Sequence, residues 1–307
     1  MKKIKLKTQE KQFEEVSCNV CGSCNDEKIC THGQFGLPAN VVICKECGLS
    51  YLNPRWTEES LIDFYVNDYD SYYRPSMDKV LKENSLYMPI YNRLKKENFL
   101  AGKVDTILDI GSGEGTNLQY LLDKIPNANY FAIEPSPKCQ ETLKNMGIKI
   151  LARDIGANLD EEYDSYFDLI IMRHVFEHFR DPVEMLKKVS KLLKENGVLY
   201  IAVPNSLNFG KHSLLDHCFR AVHTYYFNIH TLKNIFAKAN VEVCTIYEGD
   251  AYNEMELIAV VKKGNSSDVV VSSQNYEIQK TFFEKKIKEE NRLINRFKKM
   301  INKYLRK

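Results

Sequence analysis

Between residues 104 and 263, short apolar runs of β type alternate with amphipathic helical stretches, and no other feature constrains the fold as much. Such alternation builds βαβ units around a mainly parallel sheet. Strands are predicted at TILDIG (106–111), YFAIEP (130–135), IKILAR (148–153), FDLIIMRH (167–174), VLYIAVP (198–204), VEVCTIYE (241–248) and MELIAVVK (255–262). Helices are predicted at 116–123, 137–145, 182–193 and 232–239, with Thr231 capping the last. Only a short connection joins the final two strands, so the seventh is expected to run antiparallel.

At 307 residues there is room for one full α/β domain and smaller appendages. Residues 1–55 are rich in cysteine and turn formers and need a staple; residues 56–103 read as helical and hold the tyrosines Tyr65, Tyr69, Tyr72 and Tyr73. The sheet domain is expected over 104–264, and a linker with a basic amphipathic helix over 265–307. In that tail, Phe283, Ile287, Ile294, Phe297, Ile301 and Tyr304 keep a three-four spacing from about 278 to 305. The spacing favours a coiled coil with a second copy over docking on its own sheet or on an anionic membrane surface.

The formal charge of +2, from 43 basic and 41 acidic side chains, argues against a nucleic-acid partner. No apolar stretch near the start resembles a signal core, and no run approaches the roughly 18 apolar residues of a membrane span. A cytoplasmic location is expected.

Gly111, Gly113 and Gly115 follow the first strand in ILDIGSGEGTN, where missing side chains let a ligand approach the backbone. Glu134 ends the next strand, placed to accept the hydroxyl hydrogens of a ribose. Asp109 and Glu114 flank the loop and would repel a pyrophosphate, whereas a sulfonium would be tolerated. The spacing G-x-G-x-G also departs from the dinucleotide pattern G-x-G-x-x-G.

With FDLIIMRHVFEHFRDP further on, residues 106–263 resemble a class I S-adenosylmethionine-dependent methyltransferase domain, in particular the bacterial group that modifies sugars and surface glycans. The resemblance implies a Rossmann-like α/β sheet ordered 3-2-1-4-5-7-6 with strand 7 antiparallel, joined to an N-terminal zinc knot, a helical lid and a C-terminal helix. It also implies that Asp109, Gly111, Ser112 and Gly113 line the methionine part of the cofactor, Glu134 and Pro135 the ribose, and Asp154 with Ile155 the adenine edge. Arg173, His174, Glu177 and His178 then sit near the transferred methyl, with Arg173 and His174 beside the cofactor. Methyl transfer is a displacement whose chief demand is alignment, and a hydroxyl acceptor also has a proton to lose. His178 is the first candidate base; His174 and His223, the latter in RAVHTYYFNIHTL, are the next. The stretch 205–221 with Tyr69, Tyr72 and Tyr73 is expected to form a lid, aromatic faces suiting a sugar or a sulfonium; packing of a helix on the sheet is the alternative for those tyrosines.

Six of nine cysteines crowd between Cys18 and Cys47. Cys18-x-x-Cys21 and Cys44-x-x-Cys47 match tetrahedral zinc held by four thiolates, with Cys24 and Cys30 as spare ligands. A closed four-thiolate site has no position open to substrate, so the metal is expected to stabilise folding. The LSYLNPRWT that follows resembles the family's run from knot to lid.

Sugar C-methyltransferases of this group carry a second large C-terminal domain and a His-Gly-Gly-Ser-Leu-Arg run, whereas here the chain ends soon after the sheet and has YNEMELIA. The expectation is therefore transfer to an oxygen or nitrogen of a sugar, nucleotide-sugar or glycan. Two rival readings are a non-catalytic scaffold that recruits partners through its tail helix and a zinc-containing RNA methyltransferase.

Overall fold

The computed structural model describes residues 11–73, 89–154, 161–249, 255–264 and 268–304, and for 70, 89, 116, 117 and 294–304 the description is of the backbone alone. Ile155 of the expected adenine edge lies outside the described residues. The chain divides into two compact units, one drawn from Met1–Tyr73, Ser206–Asn228 and Val270–Lys307, the other from Arg74–Asn205 and Ile229–Val269. This grouping differs from the four consecutive segments read off the sequence, because distant stretches share cores.

In the first unit, β1 (Phe13–Glu14), β2 (Asp26–His32), β3 (Pro38–Cys44), β4 (Ser50–Leu52) and β5 (Arg55–Trp56) precede α1 (Glu58–Asn67) and α2 (Tyr69–Tyr73). The Thr57 hydroxyl caps α1 by accepting from the Ser60 amide, and Glu58 and Glu59 complement the helix dipole there. In the second unit follow α3 (Pro89–Lys96), β6 (Thr106–Ile110), α4 (Thr116–Lys124), β7 (Asn129–Ile133), α5 (Pro137–Asn145), β8 (Lys149–Ala152), β9 (Phe167–Arg173), α6 (Pro182–Leu192) and β10 (Leu193–Pro204). The chain then contributes β11 (Tyr225–Tyr226) to the first unit, α7 (Ile229–Ala239), β12 (Val241–Glu248) and β13 (Glu256–Lys263) to the second, and finally α8 (Ser273–Tyr304) to the first.

The second unit holds a seven-stranded sheet ordered β12-β13-β10-β9-β6-β7-β8, with β13 antiparallel to both neighbours. Read from β8, this is the predicted order 3-2-1-4-5-7-6. Ile107, Ala132, Leu169, Ile171, Tyr200 and Ile258 bury one face against Leu94, Leu118, Leu121 and Leu143, while Leu108, Ile170, Met172 and Leu199 are buried on the other. Burial on both faces explains why these strands read as continuous apolar runs. At the strand starts, the Asp168 carboxylate accepts from the Asp105 and Thr106 amides (2.9 and 3.0 Å) and from Lys194 (2.8 Å), which ties β9 to β6. The opposite ends of β6 and β9 are adjacent where the strand order reverses, the usual place for a ligand crevice. Helix α7 starts at Ile229, so Thr231 lies inside its first turn, fully buried, and does not cap it.

The first unit is built on a sheet ordered β11-β4-β3-β2, with β1 paired to β5 apart from it. Its core joins Val41, Ile43 and Leu52 to Phe209, Leu214, Phe219 and Tyr226 and to Tyr276 and Phe283 of α8. The tail helix thus starts earlier than 278 and spends the first part of its apolar stripe on its own unit. That stripe cannot also seam a coiled coil with a second copy, which corrects the expectation for this part of the helix. Among the described residues no helix is long and apolar enough to cross a membrane.

Candidate functional site

After β6 the backbone turns through Gly111, Gly113 and Gly115, each with positive φ (71°, 56° and 80°). These three glycines answer to different neighbours. A Cβ on Gly111 would meet Val175 Cγ2 at 2.7 Å, and one on Gly115 would meet Leu143 Cδ2 at 2.7 Å, so internal packing requires both. Among the described residues a Cβ on Gly113 would meet nothing within 4 Å, so none of them crowds this one. The Gly113 amide donates to Glu134 Oε2 (2.8 Å) and the Ser136 amide to Glu134 Oε1 (2.9 Å). Glu134 is therefore buried at the end of β7 with an amide on each oxygen, and each oxygen keeps a further lone pair. Ser112 is buried too, and its Oγ has no hydrogen-bond partner among the described residues. An open backbone cradle, an orphaned hydroxyl and a buried carboxylate with lone pairs to spare fit an adenosyl ligand that brings donors and acceptors of its own. Asp109 lies inside β6 and is 1% exposed, while Pro135 and Asp154 are exposed, Asp154 two residues past β8.

At the end of β9 a charged cluster forms. Arg173 Nη2 donates to Glu256 Oε1 at 2.5 Å, and His174 Nε2 lies 2.5 Å from the same oxygen. His174 Nδ1 is 3.7 Å from Glu177 Oε1, and His178 Nε2 is 3.9 Å from that atom. His174 has φ of 55°, a left-handed conformation that costs a non-glycine residue about 1–2 kcal/mol. Its amide donates to Ala202 O at 2.8 Å and its ring is held by Glu256, so the surroundings over-determine that conformation. Desolvation alone would lower the His174 pKa, but the carboxylates of Glu177 and Glu256 outweigh it and raise the imidazole to about 9. Burial by itself would raise both carboxyls; His174, with His178 beside Glu177 and Arg173 beside Glu256, holds each below the usual range.

With a carboxylate toward each ring nitrogen, His174 is drawn toward its protonated form, which suits it less than His178 to accept a proton. The geometry also shows Arg173 and His174 engaged with Glu256 across 83 and 82 residues of chain, respectively. Glu256 was not picked out by sequence reasoning beyond its place in YNEMELIA. Its signal was a carboxylate opening the apolar run ELIAVV in a strand buried on both faces.

In the first unit the sulfurs of Cys18, Cys21, Cys44 and Cys47 all lie within 4.8 Å of one another. Each CxxC pair turns back on itself, Gly22 donating to Cys18 O and Gly48 to Cys44 O, both at 2.8 Å. Crowding splits the thiols: Cys18 is pushed up to about 12, chiefly by its contact with Cys44, whose own thiol is pushed down by Cys18 and Cys47. Such a set cannot hold several thiolates without a cation, so it suits a metal ion. Cys24 is exposed and Cys30 Sγ points to Ala39 O at 3.4 Å, so neither spare cysteine joins the set.

Tyr69, Tyr72 and Tyr73 surround Phe64, with ring centroids 6.4, 5.8 and 6.3 Å away, in a cluster that includes Leu37, Trp56 and Val222. Tyr72 is 3% exposed, and Arg220 stacks over Tyr73 at 5.4 Å. These tyrosines thus pack the core of their own unit. His223 is buried in the same unit, its ring 6.1 Å from that of Tyr226.

The profile of the methyltransferase domain family matches residues 73–246. The chain is similar to C-methyltransferase NovU of Streptomyces niveus, 22% identical over 223 residues, or 72% of this chain and 50% of that protein. It is also similar to malonyl-[acyl-carrier protein] O-methyltransferase of Acetivibrio thermocellus, 28% identical over 109 residues, 34% of this chain and 38% of that one. The chain thus spans half or less of the length of these relatives. Its fold matches the 1,6-didemethyltoxoflavin-N1-methyltransferase of Burkholderia thailandensis, crystallised with 1,6-didemethyltoxoflavin and S-adenosylhomocysteine. The TM-score is 0.55 and the identity 16%, over 75% of this chain and 98% of that structure.

Proposed function

We propose that this chain, which belongs to the methyltransferase domain family, is an S-adenosylmethionine-dependent methyltransferase whose acceptor is an oxygen or nitrogen of a sugar, nucleotide-sugar or glycan. One observation carries the reading: a cluster of imidazoles and carboxylates, Arg173, His174, Glu177, His178 and Glu256, gathered at the end of β9 beside the glycine loop. A polar, proton-handling wall suits a polyhydroxyl acceptor that must lose a proton, more than an apolar one. We place the activity in the cytoplasm, where thiols stay reduced and available to a metal.

When bound, S-adenosylmethionine supplies an electrophilic methyl on a positively charged sulfur. Gly113 leaves room for the donor against the backbone, Ser112 offers it a hydroxyl, and Glu134 accepts from its ribose. Asp109, Gly111 and Pro135 frame the same loop, Gly111 through backbone alone since Val175 fills its side, and Asp154 stands toward the adenine edge. His178 takes the acceptor's proton as the new bond forms, and His174, already charged, stabilises negative charge nearby. Cys18, Cys21, Cys44 and Cys47 hold a structural zinc, which supplies folding energy and no chemistry.

Isothermal calorimetry with S-adenosylmethionine and a methyl-transfer assay over a panel of nucleotide-sugars test the reading. Turnover of a nucleotide-sugar with kcat lowered about 100-fold in His178→Ala supports it. No cofactor affinity would point to a scaffold instead, and unchanged turnover in the variant would remove His178 as the base.

A further inference from the structure

Glu177 is unusual among the buried groups. It is 1% exposed, and neither carboxylate oxygen has a hydrogen-bond partner among the described residues. A buried charge left without hydrogen bonds is costly unless opposite charge compensates it. Compensation stands on both sides: His174 Nδ1 at 3.7 Å and His178 Nε2 at 3.9 Å, both facing Oε1. His174 meets a second carboxylate at its other ring nitrogen, Glu256 at 2.5 Å, which Arg173 also contacts. A ring with a carboxylate toward each nitrogen is held with both nitrogens protonated.

We propose that Glu177 is the positioning residue of the transfer site: its enclosed carboxylate holds His174 as an imidazolium and compensates the second imidazolium that forms when His178 takes the acceptor's proton. Being enclosed, Glu177 does not touch substrate and acts through the two rings. The step balances as follows. The acceptor's oxygen or nitrogen bonds to the methyl carbon as the carbon–sulfur bond breaks, the sulfur keeps that electron pair, and the acceptor's proton ends on His178. The positive charge lost by sulfur reappears on a ring that already faces a negative one. This inference rests on His178 serving as the base, as argued above.

The test uses the full-length protein labelled with 15N in histidine, as wild type, Glu177→Gln and Glu177→Asp. In the wild type, the ring nitrogens of His174 should both read as protonated at about pH 8. In Glu177→Gln, which keeps shape and removes charge, the His174 titration should move down by about one pH unit or more, and Glu177→Asp should restore most of it. Kinetically, Glu177→Gln should lower kcat about 30-fold with KM for S-adenosylmethionine within about two-fold, and the Asp variant should recover part of the loss. A neutral His174 ring in the wild type, or a titration that ignores the Gln substitution, overturns the proposal. The two titration readouts need no acceptor, so an acceptor panel that fails counts against the sugar reading alone.

Discussion

Substituting the three loop glycines by alanine should separate folding from cofactor binding. In Gly111→Ala the new Cβ lies 2.7 Å from Val175 Cγ2 and 3.0 Å from Val175 Cβ, and φ is +71°. The left-handed backbone costs about 1–2 kcal/mol in an L-residue. Overpacking adds about 1–3 kcal/mol, toward the lower end because Val175 is only half-buried and can yield. The total is about 3 kcal/mol of lost stability, roughly a hundredfold in the folding equilibrium. In Gly113→Ala only the backbone cost of about 1–2 kcal/mol remains, because no atom of the described residues lies within 4 Å of the added carbon. That carbon occupies the open side of the loop, so S-adenosylmethionine should bind about tenfold or more weakly, a loss of about 1.4 kcal/mol. Gly115→Ala should fall between in stability, since its clashes are with the flexible ends of Leu143 and Met146. Urea unfolding gives the stabilities and isothermal calorimetry the affinities. If Gly113→Ala binds the cofactor as tightly as wild type, or if Gly111→Ala is no less stable than Gly113→Ala, the division of the glycines is wrong.

Purified protein should carry about one equivalent of zinc, lost with folding of the first unit in Cys44→Ser but kept in Cys24→Ser and Cys30→Ser; metal analysis after gel filtration checks this. Asp168→Asn should cost about 2–3 kcal/mol, since the carboxylate serves two amides and Lys194. Burial alone would raise the Asp168 carboxyl, but Lys194 and the Asp105 and Thr106 groups outweigh it and hold it below the usual range. The folded value being the lower one, this stabilisation is fully present above the unfolded carboxyl range near about pH 4 and fades as pH falls through the folded value. Wild type and variant should therefore converge in acid-side urea titrations. Asn275→Ala should cost about 1–3 kcal/mol, because it strips Cys47 O of a buried donor at 2.7 Å and Asn228 of an acceptor at 3.1 Å. Hydrogen exchange should then speed up in α8 and in 206–228 while β6 and β9 stay protected, and uniform acceleration would count against a local role.

The difference between those predictions reflects two kinds of information. Periodicity is local, so strands buried on both faces announce themselves as apolar runs such as TILDIG, FDLIIMRH and MELIAVVK, while the order of the large sheet came from what the family resemblance implies. Ligand spacing is local as well, which made Cys18, Cys21, Cys44 and Cys47 legible as a set. Long-range neighbours leave no such trace. That Val175 fills the space beside Gly111 while no described residue crowds Gly113 depends on where the loop after β9 lands. That Glu256 reaches Arg173 and His174 depends on β13 lying beside β10, with Pro204 opposite Glu256. Helix α8 carried a stripe that any apolar partner could cover, and packing decided that Val41, Leu52 and Phe219 take it. Sequence by itself determined which elements form and which residue types could do chemistry; the tertiary structure decided which of those groups meet, because a side chain's charge and reach are set by neighbours that chain order does not specify.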